Sequence, residues 1–456
     1  MSQLRQAHGR PGFAPTELRS RSLRAVPARA QPLRAQPLRA QPLRAQPLRA
    51  QPLRARPLRA RPLARALARL APLRRCDWVL LTAVLALSIT GVLLVWSASR
   101  AALLQADADP LTYLKKELLN LAIGLILMLA VSLLDDEKLR ECPPWVYAAT
   151  LLGLTAVLSP VGTSVNGASA WISLPGGFEV EPSEYAKLGL VLMTAKILGD
   201  ARTADSRPPI RPPIRTVAAA LACAAPVVAL VTAEPALGVA VLLMVVLVSL
   251  IVLAGTRLRW LAGLGGAAAG AVLTAWWLHL LRPYQLHRLT AFINPGADSA
   301  GAGYSAAQAK IAIGSGGLLG QGLLHGQFVA GNFVPEQHTD FIFTVAGEEL
   351  GFAGAVMIIV LLGVIVVRAL LIAARADDQF ATLVAGGIAI WFAFQSFINI
   401  GMTIGLVPVT GLPLPFVSYG GSAMFADMMA VGVLQALRLA GTDPRLALDR
   451  ALAGPR

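Results

Sequence analysis

Residues 216–256 read TVAAALACAAPVVALVTAEPALGVAVLLMVVLVSLIVLAGT, and the fold turns on how this run is divided. It carries one charge, Glu234, in 41 residues. Crossing about 30 Å of hydrocarbon takes roughly 20 residues, so the run is about twice too long for a single span. Glu234-Pro235 interrupts it, because proline disfavours helix at the residue before it. The reading is two membrane helices, 216–233 and 236–254, joined by a tight turn.

Working outward, further apolar runs fall near 78–97, 118–134, 145–160, 183–199, 260–281, 350–374, 382–404 and 422–440. Together they predict an all-α polytopic membrane protein with about ten transmembrane helices and a large extracytoplasmic loop between helices 7 and 8. The composition agrees, at 55% hydrophobic and 14% charged.

The net charge of +15 is concentrated at one end. Residues 1–75 hold 18 Arg against one acid, Glu17, while the rest of the chain holds 22 Lys and Arg against 24 acids. That distribution excludes a nucleic-acid-binding role for the whole protein. Within 31–60 the unit Gln-Pro-Leu-Arg-Ala recurs and passes into Arg-Pro-Leu-Arg-Ala. Proline every fifth residue forbids a continuous helix, and like charges extend the chain. Residues 1–75 therefore read as a disordered, Arg/Pro-rich cytoplasmic tail. Leu63, Leu67 and Leu70 share one helical face, with Arg65 and Arg69 between them. This is either a short interfacial helix on anionic lipid or more of the tail. The first apolar run begins only near Trp78, which predicts no cleavable signal peptide. Cys76, Cys142 and Cys223 have neither pair nor metal spacing and read as free thiols.

Ten crossings would put both termini on one side. With the tail inside, the inner loops and C-terminal end carry 14 Lys and Arg and the outer loops six. By the positive-inside rule both termini face the cytoplasm, including a short C-terminal tail at 443–456.

The candidates for chemistry lie on the outer side. Pro335-Glu336-Gln337-His338-Thr339-Asp340-Phe341-Ile342-Phe343 places an acid at a membrane boundary, where desolvation is costly. A carboxylate partly withdrawn from water has a raised pKa and serves better as a general base. The competing reading makes Asp340 a helix N-cap; Glu348 and Glu349 are alternative bases. Glu184 and Lys187 lie three apart on one face of the fourth span, either lining a cavity or simply pairing. Arg282, His287, Arg288 and Lys310 supply cations in the same loop, and His338 alone reads more readily as structural. The glycines of 314–322 permit close backbone approach, but no Walker pattern or zinc signature is present. Residues 405–421 hold three prolines and Gly420-Gly421, which predicts a re-entrant or cavity-lining loop.

At these residues the chain resembles the SEDS family of peptidoglycan polymerases, whose members include RodA and FtsW. The match runs from about 77 to 440, within a domain placed at 76–442. The 335–343 segment with Gly347-Glu348-Glu349-Leu350-Gly351 resembles the outer-loop signature. Pro182-Ser183-Glu184-Tyr185-Ala186-Lys187 resembles the fourth-span signature. Asn399-Ile400-Gly401, Pro408-Val409-Thr410-Gly411 and Pro413 to Ser422 resemble the segment before the last span. The wording of Gly401-Met402-Thr403 and of Lys310 to Gly317 is nearer RodA. The chain departs at Ala170, Glu181, Glu234 and Ala236.

The resemblance implies lipid II glycosyl transfer outside the membrane, with a class B penicillin-binding transpeptidase as partner and a growing glycan strand as product. Asp340 then aligns with the family's essential acid and Glu184 and Lys187 with its fourth-span pair. The remaining candidate substrate-binding residues are Arg288, Lys310, His338, Thr339 and Ser418. No cofactor is certain; a divalent cation at the diphosphate stays open, without a dedicated site in the sequence. A division role, a lipid flippase and a non-catalytic scaffold are the competing functions.

Overall fold

The computed structural model describes residues 75–441, apart from 161, 166–167, 175–177, 204–211, 235 and most of 258–300. The tail repeat, the 63–75 helix (but for Arg75) and most of the 260–281 span lie outside the described residues.

Helix α1 (Trp78–Gln105) begins at Asp77, whose carboxylate accepts the Leu80 amide as an N-cap at 3.2 Å. After it come α2 (Thr112–Ser132), the short α3 (Asp136–Glu141) and α4 (Pro143–Val157). Helices α5 (Pro182–Thr203), α6 (Ile214–Ala233) and α7 (Leu237–Leu253) follow; α6 and α7 separate at Glu234 as the sequence predicts. The long connection after α7 contributes α8 (Ala302–Ser315) and α9 (Gln327–Ala330). Then come α10 (Ile342–Glu349), α11 (Gly351–Arg375), α12 (Gln379–Ile404) and α13 (Gly421–Gly441). Among the described residues five helices, α1, α6, α11, α12 and α13, are long and apolar enough to cross a membrane, and α4 and α7 are shorter apolar helices. Helices α2 and α5 match predicted spans but carry buried Glu117, Glu184 and Lys187.

The segment between α4 and α5 holds a small antiparallel sheet that the sequence reading did not foresee. Strands β1 (Thr163–Val165), β2 (Ala168–Leu174) and β3 (Phe178–Val180) lie in the order β1-β2-β3. A bulge separates Thr163 from Ser164, and Ser173 pairs with Glu179. The strands run into Glu181, whose amide donates to Ser422 Oγ at 2.9 Å. The sheet thus delivers the chain to the start of α5 at a fixed height beside α13.

The segment after α12 is irregular and buried, as the sequence predicts. Leu412, Leu414, Phe416 and Val417 are 1–2% exposed. Gly91, in the middle of α1, faces this loop: a Cβ there would lie 2.7 Å from the Val417 backbone. The loop therefore penetrates the bundle, and irregular backbone is tolerated there because protein encloses it.

Candidate active site

Asp340 sits between three backbone segments. It follows a tight turn in which Glu336 takes a left-handed φ of 53° and its carbonyl accepts the Thr339 and Phe341 amides, each at 3.2 Å. Asn399, fully buried on α12, donates from Nδ2 to the Asp340 carbonyl at 2.8 Å and to the Leu412 carbonyl at 2.7 Å. Ser418 accepts the Leu414 amide at 2.7 Å and donates to the Thr339 carbonyl at 2.6 Å. The acid-bearing turn and the 405–420 loop are thus stitched together by Asn399 and Ser418. A Cβ on Gly411 would lie 3.4 Å from Asp340 Oδ2 and 3.9 Å from Arg288 Nη1. Glycine there leaves room above the carboxylate. Arg288 donates from Nη1 to the Thr410 carbonyl at 3.0 Å.

Burial, assisted by the charge of Glu336 and opposed by Arg288, raises the Asp340 carboxyl to about 6. It is a base poised just below neutrality. The N-cap reading fails: the cap of α10 is Phe341, with no side-chain capping bond. Glu348 is committed through both carboxylate oxygens and Glu349 through Oε1 alone, its Oε2 being buried without a hydrogen-bond partner. Glu348 accepts the Phe328 and Val329 amides at 2.7 and 3.1 Å, and Glu349 accepts the Ser97 hydroxyl and the Leu324 amide.

Beneath this lies the α5 pair. Lys187 donates to Glu184 at 2.5 Å and to Gln395 Oε1 at 3.0 Å, and its ammonium sits 5.0 Å from the Trp391 ring. Gln395 passes the connection on by donating to the Pro413 carbonyl at 2.8 Å. Glu184 and Lys187 are thus paired with one another, at 2% and 1% exposed. Asp427 on α13, 1% exposed, accepts the Phe416 amide at 3.3 Å, and both Lys187 and Glu184 act on its charge.

The other sequence candidates are placed less centrally. Thr339 turns its hydroxyl to Glu336, so only its carbonyl joins the network. His338 packs against Tyr113 and Tyr419, with centroids 5.2 and 5.7 Å away, and burial lowers its pKa. Lys310 is exposed and extends over Gly405 at the end of α12, with Nζ 3.1 Å from where a Cβ would stand. Asn399, Gln395 and Asp427 received no role from the sequence, although Asn399 lies in a quoted motif. Glu181 and Glu234 registered only as departures, yet the charge of Glu181 acts on Glu234. Burial first and Glu181 second raise Glu234 to about 8, and burial first and Glu184 second raise Glu181 to about 7.

Gly316 and Gly320 pack against the backbone at the α10–α11 break. The α10–α11 break exposes backbone groups, and this segment satisfies them: Gln321 and Gly322 amides donate to Glu348 and Glu349 carbonyls at 3.0 Å. A Cβ at Gly316 would lie 2.0 Å from the Gly347 carbonyl oxygen.

The family model for cell cycle proteins FtsW, RodA and SpoVE matches residues 77–441. The probable peptidoglycan glycosyltransferase FtsW of Trichlorobacter lovleyi is 35% identical over 359 residues, 78% of this chain and 92% of that protein. The peptidoglycan glycosyltransferase MrdB of Escherichia coli K12 is 35% identical over 362 residues, 79% and 93% of the two chains. A chain from a structure of a peptidoglycan synthase complex that coordinates polymerization and crosslinking superposes with a TM-score of 0.66 at 30% identity, covering 81% of this chain and 99% of that one.

Proposed function

The chain belongs to the FtsW, RodA and SpoVE family, and from that premise we propose that it polymerises lipid II into glycan strands on the outer face of the cytoplasmic membrane. It is a peptidoglycan glycosyltransferase and a multi-pass membrane protein. The observation that carries the reading is Asp340: a carboxyl raised to about 6, open above Gly411, with Arg288 beside it.

In the proposed reaction an acceptor sugar hydroxyl attacks the anomeric carbon of the lipid-linked strand. Asp340 takes the hydroxyl proton as the new C–O bond forms. The bond to the diphosphate breaks, and undecaprenyl diphosphate leaves with the bonding electrons. Arg288 offsets the charge that develops there, and Lys310 meets the leaving group farther out. Glu184 and Lys187 border the groove for lipid. Thr339, through its carbonyl, and Ser418 hold the acid's turn, and His338 with its aromatic neighbours borders the sugar path.

The FtsW and MrdB relatives are equally similar at 35% identity, so an elongation role rests on the wording around Met402 and Lys310. Likeness to a chain of a peptidoglycan synthase complex supports a class B penicillin-binding transpeptidase as partner. Charge asymmetry supports cytoplasmic termini, and the 18 Arg of residues 1–75 suit anionic lipid.

The test is reconstitution. Purified chain given lipid II is expected to yield glycan strands. Lipid translocation without strands would instead make the protein a flippase. Restoration of rod shape, rather than septation, in depleted cells distinguishes elongation from division.

A further inference from the structure

Where α11 and α13 end, beside the start of α12, the bundle forms a cavity of about 280 Å³. The 25 residues of α11 separate it from the region of Asp340. Small-molecule sites run from about 300 Å³ upward, so this space suits one compact group rather than a whole lipid. Leu371, Ile372 and Leu437 give it an apolar wall, and Arg368, Arg375 and Arg438 bring three guanidiniums to it.

The acids on the lining are engaged. Asp136 and Asp378 both accept Arg140, and Asp378 also accepts the Ala381 amide at 2.8 Å. Asp377 has a partner of its own. The donors are not all spent. Arg368 uses Nε and Nη2 on Asp77, which leaves Nη1. Arg438 gives Nη1 to the same carboxylate and Nε to the Arg75 carbonyl at 3.0 Å. One carboxylate, 1% exposed, thus offsets one of two charges on guanidiniums that are 20% and 28% exposed. Arg375, in the last turn of α11, makes no hydrogen bond or ion pair with the described residues. Arg140 carries the reverse imbalance on the α3 side, with two carboxylates on one guanidinium. The cavity is therefore polarised, and its spare donors stand on the α11 and α13 wall.

We propose that this cavity binds a phosphate group against Arg368, Arg375 and Arg438. Phosphate suits the wall because its oxygens accept several N–H groups at once, and guanidiniums meet them in forked pairs. The apolar residues beside the arginines, at the ends of membrane helices, fit the headgroup phosphate of a phospholipid. Basic pockets between membrane helices take such headgroups. A soluble phosphate monoester offers the same chemistry to the same donors.

The experiment takes the full-length chain, delipidated in detergent, and titrates it with dioleoylphosphatidylglycerol under native mass spectrometry. Saturable binding of one lipid per chain is expected, and dioleoylglycerol, which lacks the phosphate, is expected not to bind. Binding weakens at least tenfold in Arg375→Gln, which breaks no contact within the fold, and in Ala440→Trp, which fills the cavity and removes no charge. It is unchanged in Lys138→Gln, a cation whose side chain is 68% exposed. The phosphate ligand also raises the unfolding temperature of the wild-type chain, so the inference is testable even if a variant misfolds. Competition by glycerol 3-phosphate assigns the site to soluble phosphates as well; failure to compete assigns it to lipid, and either result supports a phosphate site. Equal binding of dioleoylglycerol, no saturable binding of either phosphate ligand by the wild type, or folded Arg375→Gln and Ala440→Trp chains that bind as tightly overturns it. Because no lipid II is present, that outcome is separate from any failure of the polymerase reading.

Discussion

Asp340 derives its character from a balance of burial and two neighbouring charges. With its carboxyl near 6, the ionised base predominates at neutral pH and is lost as pH falls. Polymerisation is therefore expected to drop about tenfold per pH unit well below pH 6, measured as initial rates on lipid II. Arg288 lowers the Asp340 value, so Arg288→Gln should move this acidic limb to higher pH. An unshifted limb would detach Arg288 from the acid. Asp340 and the Glu184–Lys187 pair were legible because charge in apolar sequence is conspicuous and sits in family motifs. Asn399 and Gln395 were not: one amide on a long apolar helix looks the same whether it faces lipid or bridges two carbonyls. Glu181 and Glu234 are 53 positions apart, and the packing of α5 against α6 brings the charge of one to bear on the other.

The break between α10 and α11 organises the connection that carries α8 and α9. The sequence places a span at 350–374, and α11 (Gly351–Arg375) matches it; Gly351, at a φ of 67°, separates that helix from α10. Gly320, at φ 82°, packs so that a Cβ would lie 2.1 Å from the Glu349 carbonyl oxygen. Gly320→Ala should cost at least about 1–2 kcal/mol from the left-handed backbone alone, read as a lower unfolding temperature. A wild-type unfolding curve for that variant would mean the loop does not pack on the break. From sequence, glycines clustered before an acidic motif suggest ligand approach; here they let two backbones meet. The three-stranded sheet was illegible for a related reason: strands of three to seven residues among glycines leave too few positions to show alternation.

Across the whole bundle, Asp77 joins three helices. It is 1% exposed, and it pairs with Arg368 of α11 at 2.6 Å and Arg438 of α13 at 2.5 Å while capping α1. Asp77→Asn should destabilise the protein by about 2 kcal/mol, less than for a fully buried pair because both arginines reach water. Thermal unfolding in detergent checks this. The helical, multi-span architecture was readable because hydrocarbon thickness imposes run length; the penetrating 405–420 loop was readable because prolines forbid helix there. The proposed chemistry converges on one acid, Asp340. The direct test compares glycan strand synthesis from lipid II by purified wild-type and Asp340→Asn chains, with unfolding curves confirming that both are folded. Strands from the wild type and none from the variant are predicted; strands of equal yield from a folded Asp340→Asn protein would contradict the account.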